Sequence, residues 1–473
     1  MPLPAAIALF AATAALASVA ASAFALGPHE TALVVNSEST ASVLLGETWA
    51  RLRGVPDACV VRVALPRGAD GAFPAAVTHA EFLERIWTPA TNALAASGAA
   101  PQILAWAYSC DFPLRISTNA VSPSPAPVPS DFSLAGATFL RGRMPDRAEI
   151  AGAFESPLFA GPSPDDASGG RSAQSLDRLR NKLLDGTPLP SAALAWTGPR
   201  GLSLQEARAA LSRSAGADFS SPAGAVLFAG NGDVRWKTRA WSVAPAAAAL
   251  ALRSGTAAAA GAAAASGVEA VVSTNPVSSF QGPLAGLFSG GRSVPAPPDG
   301  FVPGAFADHM TSYAAAFDAP SQMKATEWLR RGAAFTAGTV TEPYALWRKF
   351  PTAQVFAHQL DGCTALEALF LSVANPLQLQ PLGDPLSAPW APRLEPEIVE
   401  DVPSASGRRF FRAALAGGAP LPRSWRCTWL LDGVQAGAAA VFALPADSRA
   451  STLRLVVRDD FRVRHQGRAE ISL

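Results

Sequence analysis

The chain has 473 residues, a net charge of +1 and only 16% charged side chains. That length exceeds one compact core, so two folded regions are expected. The near-neutral balance, with no acidic or basic tail, excludes a nucleic-acid binder, which needs a basic face to neutralise phosphates.

The first 26 residues, MPLPAAIALFAATAALASVAASAFAL, carry no charged side chain. Ala23-Phe24-Ala25 offers the small-x-small pattern of a leader-peptidase site, which predicts a signal peptide cut after Ala25 and a secreted or periplasmic protein. The run is also long enough to span a bilayer, so an uncleaved anchor is the alternative, and only then is a membrane a partner.

Next, TALVVN reads as a strand, and Val43, Leu45, Trp49 and Leu52 share one face of a helix that starts near Ser39 and ends at Gly54. CVVRVALP is a second strand. Thr78 and Glu81 form a capping box for a helix kinked or restarted at Pro89, and ILAWAYS is a third strand. This β-α-β-α-β order implies a parallel sheet with right-handed crossovers.

From about 118 to 199 the chain is rich in Pro, Ser and Gly and reads as an insertion or covering flap, with a short helix at LDRLRNKLL. Periodicity returns with the Ser203/Glu206 capping box, the strand GAVLFAG, an Ala-rich helix over 245–266 and the strand VEAVVSTN. PLAGLFSGG, FVPGAFADHM, a helix at MKATEWLRR, the strand AAFTAGTV and a helix capped by Thr364 and Glu367 follow. From about Arg393 the pattern alternates: RRFFRAAL, SWRCTWLLDG, AAAVFALP, TLRLVVRD and RAEISL predict antiparallel strands of a β-sandwich-like domain, with Asp432-Gly433 as a turn. The predicted organisation is therefore a signal peptide over 1–26, an α/β domain over 27–392 with a mostly parallel doubly wound sheet, and a β domain over 393–473.

Candidate chemistry concentrates in three places. Asp308, His309 and Ser312 combine a carboxylate, an imidazole and a hydroxyl, the components of acyl transfer, although a helix start with Asp308 as N-cap is the commoner explanation of such a segment. Thr339, Glu342 and Tyr344 should emerge at the carboxyl end of a buried strand, where open sheets bind ligands. Asn36 and Ser37, with Ser39, occupy the same position after the first strand. Gly383-Asp384-Pro385 reads as a turn. Cys59, Cys110, Cys363 and Cys427 show no CxxC spacing and sit in apolar contexts that favour burial, leaving any pairing open. His29, His79, His358 and His465 have no metal-ligand spacing, and no P-loop, GxSxG or GxGxxG motif occurs, so no metal and no cofactor is expected.

In combination, TALVVNSEST, AYSCDFPLRI, FVPGAFADHMTSY, GAAFTAGTVTEPY and GDPLSAPW resemble a family of exported bacterial proteins without an established reaction, over residues 30 to 390. The order of elements is also distantly similar to the gingipain and caspase group of cysteine peptidases, which implies a three-layer α/β architecture with a His/Cys dyad. This chain departs from that pattern: Ser289-Gly290-Gly291 stands where Gly-His-Gly is expected, and the next strand end offers Thr311 and Ser312 but no Cys. Trp196-Thr197-Gly198-Pro199 replaces an Arg-x-Asp-Gly-like segment. The expected function is that of a degenerate peptidase-like domain binding a small ligand or surface component through the carboxyl edge of its sheet. A hydrolase, peptidase or esterase, with Ser312, His309, Asp308 and Glu342 as its catalytic residues, and a structural envelope protein, are the alternatives.

Overall fold

A computed structural model describes residues 26–118, 131–164, 188–259, 267–402, 407–459 and 466–473. The leader, the LDRLRNKLL helix, most of the Pro-rich stretches and His465 lie outside the described residues. The strands to residue 383 are β1 (Thr31–Asn36), β2 (Val60–Val63), β3 (Ala76–Thr78), β4 (Ala105–Tyr108), β5 (Arg115–Ser117), β6 (Phe132–Ser133), β7 (Ser191–Ala193), β8 (Gly224–Ala229), β9 (Val268–Ser273), β10 (Leu284–Gly290), β11 (Phe301–Met310), β12 (Phe335–Thr339) and β13 (Leu379–Gly383). Ten of them form one sheet in the order β2-β1-β4-β7-β13-β12-β11-β10-β8-β9. β2, β1, β4 and β7 pair in parallel, as do β12, β11, β10, β8 and β9. β13 runs antiparallel to β12 and meets β7 at the single pair Leu382–Ala193.

Local chemistry explains the helices. Ser39 accepts from the Ser42 amide to start Thr40–Arg53, and Gly54 ends it at φ 67°, the left-handed region open to glycine. Thr78/Glu81, Ser203/Glu206 and Thr364/Glu367 all close reciprocal capping boxes. The helix begun at Thr78 continues through a π-turn, Leu83–Trp87, into Thr88–Ser97. Widening the turn just before Pro89 accommodates a residue that lacks an N–H.

Two expectations need correction, and one strand went unpredicted. The 118–199 segment is more than a flap: Leu134–Phe139 is a wholly buried helix, and β7 sits inside the central sheet. β13, with Gln380 and Pro381 in its middle, is a sheet strand that no apolar run announces. Asp308 and His309 lie within β11 and start no helix. The chain between Phe301 and Phe306 bulges out of register with β10, and Gly304, at φ 90° with the Pro389 ring against it, turns the strand there.

Beyond residue 392 two small sheets, mostly antiparallel, pack on Phe411, Cys427, Trp429, Phe442, Leu453 and Leu455. Asp432 and Gly433, at φ 45° and 86°, make the turn between strands Trp425–Leu431 and Val434–Gly437. All four cysteines are buried and free.

Candidate functional site

Alternation along β11 sends successive side chains to opposite faces and separates the proposed triad. Asp308 joins one face, where it is ion-paired with the buried Arg239, whose guanidinium lies 3.7 Å over the Phe288 ring. His309 joins the other face. It is 1% exposed, its Nδ1 accepts from Trp328 Nε1 at 2.8 Å, and burial pushes its pKa down to about 4, so the imidazole is neutral.

Ser312 lies beyond the strand and donates to Glu342 Oε1 at 3.0 Å. Glu342 Oε1 also accepts from the Tyr344 amide at 2.8 Å, in a turn where Tyr344 is exposed at φ 57°. Thr339 is buried, and its hydroxyl donates to the Thr311 and Ser312 carbonyls at 3.1 and 2.8 Å. Ser312, Glu342, Thr339 and Tyr344 are therefore brought together as one hydrogen-bonded turn. Its hydroxyl faces a carboxylate, and the imidazole needed to carry its proton is in the core.

Asn36 and Ser37 stitch the far half of the sheet. Asn36 Nδ2 donates to the Asp111 carbonyl at 3.1 Å, and its Oδ1 accepts from the amides of Glu38 and Leu65; Ser37 Oγ donates to Val63 O at 3.1 Å. Asp111, at φ 60°, collects the hydroxyls of Ser39 and Thr197. The loops leaving β4, β7 and β11 then close over one another: Trp196 stacks on Phe317 at 5.3 Å and Arg115 pairs with Asp318 at 2.6 Å. The void enclosed between them is about 10 Å³, about one water.

Space lies elsewhere. A cavity of about 520 Å³ opens between the α/β region and the C-terminal strands, with Arg53, Asp218, Arg393, Arg454 and Arg468 in its wall beside Leu52, Leu394 and Val456. No protein-family model matches this chain, and no curated protein matches it. A solved structure, the Arg-specific cysteine proteinase gingipain R, aligns at 8% identity over 95% of this chain and 99% of its own, with a TM-score of 0.47.

The cavity's charges are unevenly satisfied. Arg53 is paired with Asp218 and with Asp384, a buried carboxylate that also accepts from Trp49 Nε1 at 2.9 Å. Gly383-Asp384-Pro385 is thus a turn, and its carboxylate is a structural anchor. Arg454 pairs with Glu470 at 2.6 Å, and Arg393 with Glu395 at 3.4 Å. Arg468 donates to the Arg53 carbonyl at 2.6 Å and has no carboxylate in contact among the described residues. Desolvation and the charges of Arg454 and Arg53 hold its guanidinium below its ordinary pKa, against a smaller opposing pull from Glu470 and Asp218. Sequence reasoning missed this set. The available signal was the arginines set among the core residues of TLRLVVRD and in the following strand.

Proposed function

We propose that the chain is an exported binding protein that takes a small anionic ligand with an apolar tail, a carboxylate or phosphate ester, in the cavity beside Arg468. The observation that carries this reading is a ligand-sized cavity with an exposed arginine, Arg468, in its wall that has no carboxylate in contact among the described residues, with two more arginines close by. Such a group favours an anion, and the Leu52, Leu394 and Val456 surfaces favour hydrocarbon next to it. The carboxyl edge supports this less well, because its polar groups satisfy one another.

Titration calorimetry of the mature chain with octanoate and with inorganic phosphate tests the proposal. Saturable binding that weakens about tenfold or more in Arg468→Gln, and is unchanged in Ser312→Ala, is the expected result. Equal affinity in the parent and Arg468→Gln would overturn it.

A further inference from the structure

The three capping boxes share one motif and differ in one respect. Glu81 and Glu206 lie near the surface, where hydrogen bonds from their caps hold both carboxyls below the ordinary range. Glu367 is 6% exposed, and burial pushes its carboxyl up to about 7 against the same cap hydrogen bonds. A buried carboxylate calls for a cation, and among the described residues none pairs with Glu367. Glu30, whose charge adds to the upward push on Glu367, is ion-paired with Arg458 at 2.6 Å.

The two oxygens of Glu367 have different tasks. Oε2 closes the cap, accepting from the amide and hydroxyl of Thr364 at 2.8 Å each. Oε1 accepts from the backbone nitrogen of Leu26 at 2.9 Å. Leu26 is itself buried, and the next amide, that of Gly27, donates to Glu30 Oε2 at 3.1 Å. Leu26 is also the residue that follows Ala23-Phe24-Ala25.

We propose that cleavage of the Ala25–Leu26 bond makes the Leu26 α-ammonium the missing cation, and that Glu367 is its built receptor, so that processing locks the new N-terminus into the fold. The step is a hydrolysis by a leader peptidase of small-x-small specificity: the Ala25 carbonyl carbon takes the water oxygen, the peptide C–N bond breaks, and the released amine takes up a proton. A peptide nitrogen offers Glu367 one N–H and no charge. An ammonium at the same place offers three N–H groups and a full positive charge. It converts a neutral hydrogen bond into a charge-assisted one and removes the reason for Glu367 to stay protonated. Because Leu26 also lines the cavity, the lock completes that wall as well.

The test has two parts. Intact mass and N-terminal sequencing of the exported chain should give Leu26 as the first residue; a mature start elsewhere overturns the proposal. Next, the chain starting at Leu26 and the same chain with a Gly-Ser extension are compared by thermal unfolding between pH 5 and 8, each as parent and as Glu367→Gln. The extension is expected to lower the midpoint by a few degrees at pH 7 to 8 in the parent and to have no effect in Glu367→Gln. In parallel, the Leu26 α-amine should react about tenfold more slowly with an amine-acylating ester in the parent than in Glu367→Gln, since one unit of raised amine pKa reduces the free base by that factor. Where Glu367→Gln fails to fold, the extended and unextended parents decide: equal midpoints at pH 8 overturn the proposal.

Discussion

The two sides of this molecule solve the same problem in different ways. At the carboxyl edge of the sheet, polar side chains turn toward one another: Ser312 to Glu342, Thr339 to the Ser312 carbonyl, Ser39 and Thr197 to Asp111. At the seam with the C-terminal strands, Arg53 takes two carboxylates while Arg468 has none in contact among the described residues, and about 520 Å³ is left open. The edge where an open sheet would ordinarily hold its ligand is closed here by its own loops, and the unspent charge lies at the junction of the two folded regions.

The closed half depends most on its buried ion pair. Asp308→Ala leaves the Arg239 guanidinium, 1% exposed, without a counter-charge, and is expected to cost about 3–5 kcal/mol in urea unfolding. Adding Arg239→Met should recover a large part of that loss, because the penalty belongs to the orphaned charge. A cost below about 1 kcal/mol for Asp308→Ala would mean that solvent reaches the pair.

Two buried groups give the regions opposite responses to pH. His309, with a folded pKa of about 4 against an ordinary 6.5, must take up a proton to unfold in acid. Its contribution is full above pH 6.5 and is lost as pH falls toward 4, with a slope of up to about 1.4 kcal/mol per unit. Glu367, raised to about 7 from 4.5 while Leu26 carries only a peptide N–H, acts with the other sign in the unprocessed chain: it costs stability as pH rises through 4.5 to 7. His309→Gln, which keeps an acceptor for Trp328 Nε1, should remove the acid-side loss, and urea midpoints between pH 4 and 7 measure it. An unchanged slope would place His309 in contact with water.

Much of this architecture was legible because local chemistry and fold agree. The Ser39 cap, Gly54 and the capping boxes at Thr78, Ser203 and Thr364 need no tertiary information, since their partners are three residues away. The parallel order of β1, β2 and β4 followed from alternating strands and helices. β7 and β13 were illegible for a physical reason: Ser-Ala-Ala and Leu-Gln-Pro-Leu-Gly carry few β-branched side chains, and their neighbours in the sheet supply the burial. At the candidate site, Ser312 and Glu342 group as hydrolase residues, but their direct hydrogen bond joins loops 30 residues apart and no local pattern encodes it. Asp308, His309 and Ser312 looked like a cluster only while the strand's alternation was ignored. The arginine cavity needs the docking of the last strands onto the Gly54 end of the first helix, where Arg454 and Arg468 donate to the carbonyls of Gly54 and Arg53. No local pattern encodes that.

The smallest expected effect sharpens the comparison most directly. Ser312 is half-buried, and its bond to Glu342 is one of two that this carboxylate oxygen accepts, so Ser312→Ala should cost only about 0.5–1.5 kcal/mol. If the turn is structural, Glu342→Gln costs a similar amount, the double variant costs less than the sum, and any turnover of a p-nitrophenyl ester is the same in all three as in the parent. A catalytic serine behaves otherwise. Turnover would fall by about a hundredfold or more on Ser312→Ala with the unfolding midpoint unmoved, and that single dissociation of rate from stability would return the carboxyl edge to the position of active site.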